Sequence, residues 1–204
     1  MPTWQNPGKP LILASQSPRR REILTNMGLT FTTVSPATID ENAFINRADL
    51  RASLEKLARA KAESVADLHP EALVLGADTV VVKDNHVLGK PADRAEAETM
   101  LKTLSGACHQ VLTGVALVCR SSLFIASAVA CTDVFFRMIT SAEIEAYLNH
   151  DEFRDKAGAY AIQGRAMIFI ERIAGCYYNV VGLPVAETIS LLSAHIRGRE
   201  EMDE

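Results

Sequence analysis

The residues whose types and spacing could do chemistry begin near the start of the chain, in Leu11-Ile12-Leu13-Ala14-Ser15-Gln16-Ser17-Pro18-Arg19-Arg20-Arg21-Glu22-Ile23-Leu24. A short apolar run stops at small polar residues. Ser17 then suits an N-cap, Pro18 the first helical position and Gly28 the stop, which predicts strand, tight turn and helix. Arg19, Arg20 and Arg21 fall in the first helical turn, where unpaired backbone N–H groups and the positive end of the helix dipole disfavour cations. Such crowding calls for an anion, because N–H groups, a serine hydroxyl and guanidinium forks converging on one point are how proteins hold phosphate. Three arginines on a solvated helix face are the plain alternative. The position beside a buried strand end favours phosphate, since open α/β sheets bind ligands outside their strand ends.

A second chemical signal is Asp78. The run Ala72 to Val82 is apolar on both faces, as a central strand is, and Asp78 sits in its middle. A carboxylate there is costly unless paired, hydrogen-bonded or bound to a metal. Gly76 before it permits close backbone approach. Other polar residues remain open from the residues alone. Glu41, in Pro36 to Asn42 just past a strand, reads as a solvated loop or as a ligand or metal contact. Lys61 lies close to the apolar side of a helix spanning about Asp49 to Leu68, where periodicity reads it as a snorkelling lysine. Lys90, between Gly89 and Pro91, is held in an extended, rigid setting that aims its ammonium. Gln163, framed by small residues in Asp155 to Gly164, suits a loop pressing one amide against a planar ligand, or a plain turn.

The elements that must position these groups follow the same rules. Leu29 to Val34 and Met167 to Ile170 read as strands, and His109 to Cys119 with Phe124 to Phe136 as a hairpin of long strands. Asp93 with Glu96 and Thr140 with Glu143 open two helices. A last helix runs from Val185 to about Ile196. Residues 1–10 are expected to be a flexible leader, 11–196 one domain and 197–204 a charged tail that frays.

With 48% hydrophobic and 23% charged residues the composition is that of an ordinary globular protein. The net charge of -4 argues against coating nucleic acid, and any polyphosphate site must be a local basic pocket. Cys108, Cys119, Cys131 and Cys176 form no C-x-x-C pair and are read as buried small hydrophobes. His109 and His150 have no companions at ligand spacing and are read as structural. The first ten residues lack the apolar core of a signal peptide, and no run suits a membrane helix, which places the chain in the cytoplasm. A kinase-type G-x-x-x-x-G-K-[ST] loop is missing.

Taken in order, A-S-Q-S-P-R-R, Asp40-Glu41, L-A-R-A-K, G-A-D-T-V-V, G-K-P, S-G-x-x-H-Q-V-x-T-G, D-K-A-G-A-Y-A-I-Q-G and V-V-G-L-P resemble the Maf family of nucleoside triphosphate pyrophosphatases, from Leu11 to His195. Glutamine in A-I-Q-G resembles the dTTP/UTP pyrophosphatase branch, whereas the 7-methyl-GTP branch carries glutamate there. Gln16 departs from the glycine of close relatives. The resemblance implies an α/β fold with a mixed twisted sheet flanked by helices, like that of inosine triphosphatases, with two lobes around a central cleft. It further implies a divalent metal cation (Mg2+ foremost, Mn2+ or Co2+ otherwise), release of pyrophosphate, and a homodimer, for which apolar runs near Val129 and Val180 are candidates.

Residue by residue, the resemblance makes Asp78 the catalytic proton acceptor. It assigns Arg19, Thr79 and Gln163 to substrate choice, and Ser15, Arg20, Lys61 and Lys90 to the rest of the polar site. It places Glu41 in the same polar site, and because magnesium takes only one or two protein carboxylates beside phosphate and water, Glu41 with Asp78 is the expected metal site. The competing class is a non-enzymatic nucleotide-binding regulator of cell division, and the missing basic stripe counts against polymer binding.

Overall fold

A computed structural model of the chain describes residues 8–203, so the first seven residues of the expected leader and Glu204 of the expected tail lie outside the described residues. The opening run forms β1 (Leu11–Ala14), and α1 (Pro18–Asn26) follows. The Ser17 side chain accepts from the Arg20 backbone N–H at 3.5 Å, and Gly28 takes a φ of 74°, the left-handed stop that glycine tolerates. β2 (Thr32–Val34) is shorter than the sequence suggests, and Glu41 opens a short helix, α2 (Glu41–Phe44), where a loop is expected. Asp49 caps α3 (Leu50–Ala66) by accepting from the Ala52 N–H.

The central strand is β3 (Leu73–Lys83). It turns through Asp84 and Asn85, both at positive φ, into β4 (His86–Leu88), as two-residue hairpin turns require. The remaining elements are α4 (Arg94–Leu104), β5 (Cys108–Cys119), β6 (Phe124–Phe136), α5 (Ser141–Leu148), β7 (Ile170–Ala174), α6 (Tyr177–Val181) and α7 (Val185–Asp203). The strands make one seven-stranded sheet in the order β2-β1-β3-β5-β6-β7, with β4 on β3. It is mixed: β1 runs parallel to β2 and β3, and β3–β4 and β6–β7 are antiparallel. The expected mixed sheet with flanking helices is therefore what the chain forms.

Two expectations fail locally. The apolar run at Met167 is a 3₁₀ turn over Arg165–Phe169, and the strand begins only at Ile170, because Met167 and Ile168 point outward, 63% and 58% exposed. The last helix passes Ile196 and continues to Asp203, since arginine and glutamate are good helix formers. Of the cysteines only Cys119 is buried, Cys108 is exposed, and all four are free thiols. No helix among the described residues is long and apolar enough to cross a membrane.

The chain divides into two compact units. The first comprises residues up to Asp78, Thr113–Ala130 and the segment from Gly182 onward; the second comprises Thr79–Leu112 and Cys131–Val181. In the first unit α3 packs small residues on the sheet: Ile12, Ala14, Ala62, Val65, Ala66, Val74 and Val118 form a buried cluster. α3 is seated unusually close. A Cβ built on Gly76 of β3 would strike the Ala58 carbonyl oxygen and lie 2.8 Å from the Ala62 nitrogen, and one on Gly114 of β5 would strike the Leu54 carbonyl. Glycine at both positions lets the helix backbone touch the sheet. The second unit has its own core of α4, α5 and aromatic side chains, with Phe136, Tyr147, Phe153, Tyr160 and Phe169 all buried. Val180 is partly buried against this core.

Candidate active site

The parallel pairing of β1 with β3 sets the site. The last pair of the register is Ala14 with Gly76, so Ser15 and Asp78 both lie beyond the carboxyl end of β1, where open α/β sheets place ligands. Asp78 is 7% exposed. Its partner is Lys61, which α3 delivers from the apolar side of the helix: Nζ donates to Asp78 Oδ1 and to Glu41 Oε1, at 2.6 Å each. The Lys61 and Asp78 side chains are 12% and 10% exposed, and that of Glu41 47%. The ammonium therefore lies where two carboxylates converge and offsets their mutual repulsion. The snorkelling reading of Lys61 gives way to a largely covered cation aimed at two carboxylates.

The turn before α1 supplies the second half of this cluster. The Ser15 hydroxyl, 6% exposed, accepts from the Ser17 backbone N–H at 3.2 Å and from the Arg20 guanidinium at 3.3 Å. Arg20 is also anchored through Nε to the Gly182 carbonyl oxygen at 2.8 Å. Burial pushes the Arg20 guanidinium below its ordinary value, opposed by the nearby Asp78 and Glu41 carboxylates and reinforced by Arg19. Burial lowers Arg19 as well. A guanidinium stays protonated at neutral pH even so, so two cations remain half-buried beside the first turn of α1. Arg21 is exposed and is the solvated member of the triplet.

In the first unit the structure thus brings together Ser15, Arg19, Arg20, Glu41, Lys61 and Asp78. Thr79, Lys90 and Gln163 belong to the second unit. Thr79 follows Asp78 along β3 and is partly buried, while Lys90 and Gln163 are exposed. Among the described residues no cluster of three or more His, Cys, Asp or Glu side chains could cage a metal. Glu41 and Asp78 offer oxygen donors only, which suits a hard cation such as Mg2+ that takes one or two carboxylates and completes its shell with phosphate and water. The donor set fits that kind of cation and not a histidine- or thiolate-bound metal.

Sequence reasoning did not assign Gly182 a place. Its carbonyl orients Arg20 and its φ of 123° is one that side chains rarely adopt; the glycine between Val181 and Leu183 was the available signal. His109, read as structural, is 2% exposed and bonds through Nε2 to the Tyr160 hydroxyl at 2.8 Å. Burial, with Lys83 nearby, pushes its pKa down to about 4.

Fold and site define a mixed α/β protein with a lysine-bridged carboxylate pair and half-buried arginines at its strand ends. A family model described as Maf-like protein matches residues 10–195, and the chain belongs to that family. It is 52% identical over 184 residues to a protein named dTTP/UTP pyrophosphatase from Symbiobacterium thermophilum, covering 90% of this chain and 92% of that one. Proteins of the same name from Halalkalibacterium halodurans and Vibrio cholerae are 46% and 48% identical, covering 92% and 89% of this chain and 96% of each of theirs. Among solved structures, a nucleoside-triphosphatase / dITP/XTP pyrophosphatase from Mycobacterium abscessus is similar at 15% identity and a TM-score of 0.44, covering 94% of this chain and 97% of that one.

Proposed function

We propose that this Maf-family chain is a nucleoside triphosphate pyrophosphatase that hydrolyses dTTP and UTP to the monophosphate and pyrophosphate, clearing these or modified pyrimidine nucleotides from the pool. The observation that carries the reading is Asp78, buried in β3 just past the end of β1 with the Lys61 ammonium 2.6 Å away, in a chain about half identical to pyrophosphatases along most of its length.

Asp78 accepts a proton from a water molecule and orients it. The water oxygen attacks the α-phosphorus, and the bond from that phosphorus to the α–β bridging oxygen breaks. Negative charge then grows on the departing pyrophosphate, and fixed cations aimed at that charge lower the barrier. Arg19, Arg20, Lys61 and Lys90 supply them. Ser15, which accepts from Ser17 and Arg20, has its own hydroxyl proton to donate to a phosphate oxygen. A divalent cation held by Glu41 and Asp78, Mg2+ foremost, would neutralise charge on the phosphates. A carboxylate is a weak base as a class, so the placement of Asp78 against the water matters most.

Base choice rests on Gln163, with Thr79 and Arg19. Uracil and thymine present a carbonyl acceptor beside a ring N–H donor, and a carboxamide offers the matching donor and acceptor. A glutamate offers acceptors only and suits the donor-rich edge of guanine. We read residues 11–196 as the catalytic domain of a cytoplasmic homodimer, with no nucleic acid or membrane partner in its reaction. Pyrophosphate release measured with Mg2+ over a panel of nucleoside triphosphates tests the proposal. dTTP and UTP should lead, and a panel led by GTP or 7-methyl-GTP, or one without turnover, overturns it.

A further inference from the structure

Gln163 is carried on a turn that the second unit grips from both sides. The turn spans Ala161 to Gly164 and is closed by the Gly164 N–H donating to the Ala161 carbonyl at 3.1 Å. Just before it, Tyr160, 6% exposed, places its hydroxyl 2.8 Å from His109 Nε2 on β5, and its ring stands edge-on to Phe136 with centroids 4.9 Å apart. Tyr147 of α5 adds a bond to the Ala159 carbonyl at 3.2 Å. Just after the turn, Glu152 accepts from the Arg165 backbone N–H at 2.7 Å. Its carboxyl group also lies against Gly164, with the carboxyl carbon 2.9 Å from where a Cβ would stand. The same segment is tied to the Lys90 turn, because the Gly158 N–H donates to the Gly89 carbonyl at 3.0 Å.

Such double anchoring is more than a solvent-facing turn needs. Five backbone or hydroxyl contacts fix the residues around an exposed glutamine whose own side chain has no place in the core. A carboxamide discriminates bases only when its donor and acceptor ends are held in register with the base edge, since a loosely held amide can rotate to suit either pattern. We propose that Tyr160, through His109, and Glu152 are positioning residues for base selection, which they serve by holding the Gln163 turn. This rests on the reading of Gln163 above.

Tyr160→Phe keeps the ring and removes the hydroxyl, Glu152→Ala removes the acceptor for Arg165, and Glu152→Gln restores an acceptor oxygen. For each purified full-length variant, kcat and KM are measured with UTP and with GTP, alongside the thermal midpoint. Tyr160→Phe and Glu152→Ala should lower the UTP-over-GTP ratio of kcat/KM by roughly three- to tenfold, the scale of one lost hydrogen bond. The effect should fall on KM for UTP with kcat nearly unchanged, and Glu152→Gln should recover most of the ratio. A purely structural role would lower the thermal midpoint and scale both substrates alike. A preferring wild type whose ratio is unchanged in Tyr160→Phe or in Glu152→Ala overturns this inference alone. A wild type without pyrimidine preference overturns the Gln163 reading and this inference with it. Should Glu152→Ala fail to fold, Tyr160→Phe decides on the same ratio.

Discussion

Replacing Gly76 by alanine probes how the fold aims its chemistry. The added methyl would strike the Ala58 carbonyl oxygen and lie 2.8 Å from the Ala62 nitrogen and 3.0 Å from the Ala62 Cβ. These are backbone or short-side-chain atoms of α3, so no flexible group can move aside. The helix must back away by about 1 Å to reach ordinary van der Waals separation. Lys61 lies between Ala58 and Ala62 and moves with them, which stretches its 2.6 Å bonds to Asp78 and Glu41 toward the limit of hydrogen bonding. Overpacking of this kind costs about 1–3 kcal/mol, equivalent to roughly 2–12 °C in the unfolding midpoint for a chain of this size. A misplacement near 1 Å in a catalytic array costs on the order of a hundredfold in rate. Steady-state pyrophosphate release and calorimetry on Gly76→Ala should therefore show both losses. Full activity in a protein that melts at the wild-type temperature would refute the claim that the close seat of α3 positions Lys61.

Three further outcomes follow from particular contacts. Lys61→Met leaves the buried Asp78 carboxylate without its cation and should lose about 3 kcal/mol in urea unfolding; adding Asp78→Asn should recover part of it, and strict additivity would show that the pair is not an energetic unit. His109 is held down at about 4 from its ordinary 6.5, so as pH falls the unfolded chain takes up this proton first. Its contribution is intact above about 6.5 and declines by on the order of 3 kcal/mol down to about 4. His109→Gln should remove that part of the acid slope, and identical slopes in chemical denaturation would contradict it. Gln163→Glu should reduce the UTP-over-GTP ratio of kcat/KM at least about tenfold, and an unaltered ratio in a substrate competition assay would take base choice away from Gln163.

Much of the first unit was legible in order. The stop of an apolar run at Ser15, the cap at Ser17 and Pro18 name β1, its turn and α1 without tertiary information, and the period of α3 is clean. Asp78 announced itself because a carboxylate inside an all-apolar strand needs a partner. That partner was hidden, since periodicity places Lys61 near the apolar side of α3 but says nothing of which strand α3 crosses. Only the parallel pairing of β1 with β3 and the glycine seat at Gly76 bring Lys61 to Asp78. The helix that carries Glu41 was not legible for a different reason, because its four residues make too few turns to show a period. Met167 and Ile168 misled through composition, as apolar residues that face solvent imitate a strand. The hold of Glu152 on the Gln163 turn runs through a backbone N–H and leaves no mark on residue type at all.

In the proposed mechanism Asp78 is the group that takes the proton from water. UTP turnover by Asp78→Asn, measured beside nucleotide binding by calorimetry, addresses it. The asparagine keeps the shape of the side chain and a hydrogen-bond acceptor for Lys61 but loses the basic carboxylate. Pyrophosphate release should fall by a factor on the order of a thousand or more while UTP binding stays measurable. An Asp78→Asn protein that releases pyrophosphate at a rate near that of the wild type would contradict the account.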